Sequence, residues 1–398
     1  PPDGLRLMLH LLVSYHTCPM EEPGEGLAGG MNVFLLGLLR GLSKRGIATD
    51  VLTRATGETV EVAAPFPGVR IFQVPCGWKE PPSRESAFAS LDLFVERCRI
   101  LMRGERIEPP VVSAHYWMSG VAARKLADAP MILCYHTVEA RKVPAPGAGQ
   151  EPFSSIRKAQ EAALAGEASR VVCFSEYDLA ENRRIFPELS EKGVVIPPGV
   201  DDRFRHLPPR EVARSYLGLP QGGMIFLLAA RGEAGKNAAA AVAAFRAMRD
   251  RWKGPATLLV AGQEGPEGGP GGDVFFLGSL PHAGMPMLFA AADAVVCPSL
   301  YESFGLVPLE ALSAGVPVVV PEGTYWGDRI RSGGGGLVYP PEEPDRFSGA
   351  LLALASSPEL RARLSMEGAA VAAPFTWEKC TASWEALLAS VSTPGSPR

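Results

Sequence analysis

Two short apolar runs, AVVCP at residues 294–298 and VPVVV at residues 316–320, constrain the fold of this chain more than any other feature. Both are β-branched and free of charge, the pattern of strands buried on both faces in a parallel sheet covered by helices. Between them Pro308 stands near the start of a helix that Gly315 stops. The stretch reads as strand, tight turn at Ser303-Phe304-Gly305, short helix and second strand. In such a unit the turn's amides and the helix start at Leu306 face the carboxyl edge of the sheet, a site suited to phosphate.

The same stretch carries two carboxylates, Glu302 and Glu310, with seven residues between them. A carboxylate beside a phosphate repels it, so neither is suited to hold one. Each can accept two hydrogen bonds from a vicinal diol, and charge-assisted bonds of this kind are the stronger sort. Diol, phosphate, diol describes a sugar nucleotide. Taken alone, the pair also fits a plain reading as solvated acids, Glu310 being favoured at a helix start by the helix dipole.

The rest of the chain repeats the theme. Its 398 residues suggest two domains of about 200 residues each, and the 46% hydrophobic content is ample for two cores. Residues 5–13 form a first strand, followed by the loop EEPGEGLAGG, a helix over 31–44 and a strand at ATDVLTR. That is the opening unit of a doubly wound sheet, without the GxGxxG of a dinucleotide cofactor. Residues 60–76 read as strand broken by Pro65 and Pro67, residues 84–103 as one helix, and residues 111–114, 131–135 and 171–174 as strands separated by helices. The Pro-rich loop 143–152 reads as a mobile or binding loop.

VVIPPGVDD at 194–202 reads as a hinge, and a second alternating series begins with a strand at 224–230. The expected architecture is α/β, with two tandem Rossmann-like domains, 1–198 and 199–374, facing each other across a cleft. A C-terminal helix and tail, 375–398, pack back on the first domain, and the tail TPGSPR is frayed.

The net charge of −4 and the absence of a dense Lys/Arg block argue against a nucleic-acid partner. Seven scattered cysteines without a CxxC read as reduced core thiols. No apolar run approaches the length of a membrane span and nothing resembles a signal peptide, so a cytoplasmic protein without integral membrane contact is expected. No metal-ligand cluster is visible, and the sequence leaves a homodimer open.

Cations for a diphosphate come from AARGEAGKN, which puts Arg231 and Lys236 at the carboxyl edge of the second sheet. A lone Lys there is more often the solvated start of a helix. In the first domain SAHYWMSG and LCYHTVEARK bring Tyr116, His136 and Thr137 to the facing edge. A histidine at a strand end is often only a hydrogen-bonded structural group, but two facing edges favour a ligand contact.

Together AGGMNVFLLGLLRGLSKRG, HYWMSG, IPPGV, the Arg231/Lys236 pair and ESFGLVPLE resemble the GT-B retaining glycosyltransferases of family 4 over nearly the whole chain. The AGGMN loop and HYWMSG are most similar to the branch that transfers N-acetylglucosamine from UDP-GlcNAc to an inositol phosphate. The resemblance implies that Glu310 holds the nucleotide ribose, Glu302 the donor sugar and Arg231 with Lys236 the diphosphate. Gly30 approaches the donor phosphate, the turn Ser303, Phe304, Gly305 and Leu306 lies against the donor, and His136 meets the transferred sugar. It further implies that His16, Asn32, Lys79, Tyr116, Thr137 and Arg157 surround the acceptor; each of Lys79 and Arg157 alone reads as a solvated surface charge. Leu27 and the preceding EEPGEG depart from the family loop, and PEGTYWGD at 321–328 places Tyr325 and Trp326 where the family has a small-residue turn.

The chemistry so implied is front-side transfer. UDP departs while the acceptor hydroxyl attacks from the same face, and closure about residues 197–202 excludes water. No cofactor is required, and Mg²⁺ is at most auxiliary. Three alternatives remain: the same class acting on an aminocyclitol or sugar phosphate, a nucleotide-sugar epimerase, and a catalytically silent sensor.

Overall fold

The computed structural model describes residues 9–24, 28–80, 82–142, 152–230, 234–265 and 273–392. Its two sheets explain the two alternating series. The first contains β1 (Leu9–Ser14), β2 (Ala48–Ala55), β3 (Glu61–Ala63), β4 (Val69–Pro75), β5 (Val111–His115), β6 (Met131–Cys134), β7 (Arg170–Cys173) and β8 (Gly193–Val195), in the spatial order β3-β4-β2-β1-β5-β6-β7-β8. All neighbours are parallel except β3, which lies antiparallel on the edge. The second contains β9 (Met224–Ala229), β10 (Ala256–Ala261), β11 (Val274–Phe276), β12 (Ala294–Val296), β13 (Val318–Pro321) and β14 (Gly336–Tyr339), ordered β11-β10-β9-β12-β13-β14 and wholly parallel.

Each order reverses direction once, between β1 and β5 in the first sheet and between β9 and β12 in the second. These reversals open crevices at the carboxyl ends of the strands, where doubly wound sheets bind ligands. Glu302, Tyr116 and His136, which follow β12, β5 and β6, therefore have a topological reason to fall where they do.

Residues 60–76 form two strands, as the break at Pro65 and Pro67 implies: these prolines and Gly68 (φ +73°) turn the chain between β3 and β4. One expectation needs correction. Residues 84–103 form two helices, Arg84–Ala89 and Leu91–Glu105, which meet at Ser90, while Ser83 caps the first by accepting from the Ser86 N–H. The expected binding loop at 143–152 falls, except for Pro152, outside the described residues, as do Leu27 and the tail 393–398.

The C-terminal helix Trp377–Ser392 leaves the second domain and lies against the helix Gly30–Lys44 of the first. Two glycines set that approach: a Cβ on Gly37 stands 2.2 Å from the Trp377 ring, and one on Gly41 stands 2.1 Å from Thr381 Cγ2. Trp384 is wholly buried and packs against Phe34 and His115. Where the chain returns, Thr376 forms a parallel bridge with Val200, whose N–H donates to the Phe375 carbonyl at 3.2 Å. The two crossings between domains thus run side by side. No helix among the described residues is long and apolar enough to cross a membrane.

Candidate active site between the two domains

The carboxyl edges of the two sheets enclose a cavity of about 390 Å³ lined by both domains. On the second-domain side, β12 leads into Glu302, Ser303 and Phe304, and Gly305 (φ +88°) starts the helix Leu306–Ser313. Gly305 lies under Trp326, whose Nε1 donates to the Gly305 carbonyl at 2.8 Å, and a Cβ there stands only 3.0 Å from the indole. Trp326 is therefore a buttress for the turn. Tyr325 and Trp326, expected as an aromatic turn, open the helix Tyr325–Gly333, capped by Thr324, whose Oγ1 accepts from the Gly327 N–H. Tyr325 lines the cavity and packs on Phe304.

Lys236, at the end of the short turn Ala234–Lys236 beyond β9, reaches Glu302: Nζ and Oε1 are 2.5 Å apart. The expected diphosphate cation and sugar-reading carboxylate thus pair with each other when no ligand separates them. Arg231 lies outside the described residues. Glu310 is only 4% exposed and its Oε1 lies 2.7 Å from His282 Nε2, while His282 Nδ1 meets Arg203 at 2.5 Å. His282 in LPHAG carried no signal of its own, since it comes to Glu310 from a different loop.

On the first-domain side, Gly30 opens the helix Gly30–Lys44 with room around it, a Cβ meeting only Leu306 at 3.5 Å. Asn32 lines the cavity, yet its amide is engaged in the preceding loop, donating to the Cys18 carbonyl at 2.7 Å and to Thr17 Oγ1 at 3.0 Å. His16 stacks on Tyr116 with ring centroids 4.3 Å apart. Tyr116 and His136, at the ends of β5 and β6, both have positive φ, +80° and +59°. A side chain in that region is strained, and strain of this kind collects at ligand sites because the surrounding fold holds it there.

Arg157, implied by the resemblance as an acceptor contact though a solvated charge when taken alone, is 2% exposed and lies beneath the cavity wall, not among the residues that line it. It donates from Nε to Glu161 (2.7 Å), from one terminal nitrogen to Tyr116 Oη (2.9 Å) and from the other to Thr137 O and Oγ1 (2.7 and 3.0 Å). Its burial is tolerable because carboxylates and carbonyls replace the lost water. The structure therefore gathers Tyr116, Thr137 and Arg157 into one network. Lys79 stays exposed beyond β4 and does not line the cavity. Among the described residues, the Lys and Arg side chains that line this half are Arg84 and Lys142, neither of which the sequence singled out.

A sequence model of Glycosyltransferase Family 4 matches residues 28–204, and one of Glycosyl transferases group 1 matches residues 209–371. A D-inositol 3-phosphate glycosyltransferase of Stackebrandtia nassauensis is 32% identical over 92% of this chain and 88% of its own length. One from Streptomyces scabiei is 30% identical over 96% of this chain and 92% of its own. Among solved structures, sucrose-phosphate synthase from Thermosynechococcus elongatus superposes with a TM-score of 0.84 at 25% identity, covering 96% of this chain and 98% of that one. The chain belongs to the family 4 GT-B glycosyltransferases.

In this glycosyltransferase the His136 ring is the end of a buried polar line. His136 Nε2 and His115 Nδ1 are 3.0 Å apart, His115 Nε2 lies 3.5 Å from Ser113 Oγ, and Ser113 Oγ lies 2.7 Å from His10 Nε2. Burial lowers the pKa of His136 and of His10 to about 3 and that of His115 well below the ordinary value. Near neutrality His136 is thus an uncharged imidazole that can exchange hydrogen bonds with a sugar hydroxyl but brings no positive charge.

His115, Cys134 and His136 also bring three potential metal-ligand atoms within 4.8 Å of one another. The two facing ring nitrogens are closer than the roughly 3.3 Å that tetrahedral zinc geometry sets between two ligand nitrogens. Burial also drives the Cys134 thiol towards its neutral form. The trio is arranged as a hydrogen-bonded histidine pair beside a thiol.

Proposed function

We propose that this glycosyltransferase moves a sugar, N-acetylglucosamine from UDP-GlcNAc in the favoured case, to an inositol phosphate or related cyclitol with retention of configuration. The observation that carries the reading is the division of the cavity. Glu302, Lys236, Glu310 and the helix start at Leu306 form one wall, and His136, Thr137, Tyr116, Lys142 and Arg84 line the other. The names of the relatives support an inositol phosphate as acceptor.

On this reading the donor separates the Lys236–Glu302 pair, the ammonium turning to the diphosphate and the carboxylate to the sugar hydroxyls. Glu310 accepts from the ribose diol. Charge developing on the departing UDP meets Lys236 and the amides of the helix start, which are in place beforehand and cost no reorganisation during reaction. The carboxylates among the described cavity-lining residues, Glu302 and Glu310, both stand on the donor wall. Among the described residues that line the acceptor wall there is then no carboxylate to serve as nucleophile in a double displacement, which favours attack by the acceptor hydroxyl on the face that UDP leaves.

The test is a UDP-release assay across cyclitol acceptors, with the anomeric configuration of the product read by NMR. Transfer to a hexose phosphate or a lipid, with none to any cyclitol, rejects the acceptor and spares the class. Altered sugar nucleotide formed with no acceptor present identifies an epimerase instead. Because Lys236 and backbone amides meet the leaving-group charge, EDTA is expected to leave the rate within twofold, and a rate restored only by Mg²⁺ rejects that part.

A further inference from the structure

One carboxylate links Lys142 of the cavity wall to Arg157 beneath it. Glu139 begins the short turn Glu139–Arg141, two residues beyond Thr137. Its Oε2 is 2.9 Å from Lys142 Nζ and 3.1 Å from a terminal nitrogen of Arg157, yet this oxygen is buried and neither contact is aligned as a hydrogen bond. The other Glu139 neighbour of note, Glu161, is committed: it accepts from Arg157 Nε and from the Glu139 N–H. Burial disfavours charge on Glu139, but Lys142 and Arg157 outweigh it and hold its pKa below the ordinary value, so the group is an anion at neutral pH.

A guanidinium has five N–H donors. Four of those on Arg157 are engaged by Glu161, Tyr116 and Thr137, and the remaining direction is the ion pair with Glu139. An acceptor anion therefore reaches Arg157 only in the place that Glu139 holds, and Glu139 also holds Lys142, one of the cations open to the cavity. Ser154 also supports the Glu139 carboxylate, but this side chain is 16% exposed against 0% for Glu161 and one of its oxygens lacks an aligned partner, so it is the more easily moved of the two.

We propose that Glu139 is an internal anion of the acceptor subsite and determines its specificity. A phosphorylated acceptor binds by displacing the Glu139 carboxylate from Lys142 and Arg157, and Glu139 thereby narrows the preference for a charged acceptor over a neutral one. The choice of inositols as acceptors rests on the function proposed above; displacement by a phosphate does not.

Two measurements on wild type and Glu139→Gln test this, the variant keeping the side chain's size while removing its charge. Titration of the whole protein with inorganic phosphate, followed by thermal shift, is expected to show about tenfold tighter binding in the variant. In UDP-release assays the ratio of kcat/KM for inositol phosphate over kcat/KM for inositol is expected to rise about tenfold. A second substitution, Lys142→Met, is expected to cancel both gains. Unchanged or weaker phosphate binding in Glu139→Gln, with an unchanged melting temperature in the absence of phosphate, overturns the proposal. If wild type turns over neither inositol, the acceptor reading has failed and the phosphate titration alone decides the role of Glu139.

Discussion

Lys236 and Glu302 leave 26% and 32% of their side chains exposed. Ion pairs this open contribute about 0–1 kcal/mol to stability, since water and salt screen them. Lys236→Ala and Glu302→Gln are accordingly expected to lower kcat/KM by more than about 100-fold, the scale of a lost leaving-group donor, while shifting the free energy of unfolding by less than about 1 kcal/mol. Steady-state kinetics beside urea unfolding separates the two; equal losses in both would make the pair structural. The buried histidines make the opposite case. His10 and His136 have pKa values of about 3 against an ordinary 6.5, so below pH 6.5 the unfolded chain takes up protons that the folded chain refuses. Stability is thus complete above pH 6.5 and falls as pH drops towards 3, by about 2 kcal/mol per histidine at pH 5. His10→Gln is expected to be less stable than wild type at pH 7 but to lose about 2–3 °C less in Tm between pH 7 and pH 5. Glu302, Glu310 and Lys236 were legible because one local unit of sequence carries each to a sheet edge. Arg84, Lys142, Glu139 and His282 were not: Glu139 and Lys142 pair within one turn but meet Arg157 and the cavity only through the fold, Arg84 reaches the cavity from a separate helix, and His282 meets Glu310 from another loop.

Elements were legible where their signals were local and failed where neighbours decided. The uncharged runs of β9, β12 and β13 declare burial on both faces, whereas β3 is a largely exposed edge strand held only by β4 and has no such run. The C-terminal helix could be read as a helix, but its docking face depends on Gly37 and Gly41 some 340 residues away. Gly41→Ala drives a methyl into Thr381 Cγ2 and is expected to destabilise the protein by about 1–3 kcal/mol, the usual range for overpacking. Thr381→Ser in the same chain removes that methyl and is expected to recover part of the loss in urea unfolding. No recovery would place the damage inside the helix Gly30–Lys44, away from its contact.

Across the whole molecule the two domains touch at the site itself. Ser303 Oγ donates to the His136 carbonyl at 2.5 Å, the Val138 N–H donates to Tyr301 Oη at 2.8 Å, and the His282 N–H donates to the Pro23 carbonyl at 2.9 Å. The first two join the donor turn to the segment bearing the strained His136, and the third joins the His282 loop to the loop that follows β1. Tyr301→Phe combined with Ser303→Ala is expected to loosen closure, raising the donor KM several-fold and the fraction of donor lost to hydrolysis, because open domains admit water. Unchanged partition between transfer and hydrolysis would show that these contacts do not govern closure. The paired crossings at Val200 and Thr376 bear on how such closure can run. A single tether lets one body swivel about three axes, so its partner can return misaligned. Two tethers zipped together suppress torsion and leave essentially one bending axis, along which each closing stroke repeats the last. On the proposed closing motion, reacting atoms carried on opposite bodies are expected to arrive in the same alignment on every turnover, the contacts across the cleft holding the closed state that the paired tethers aim.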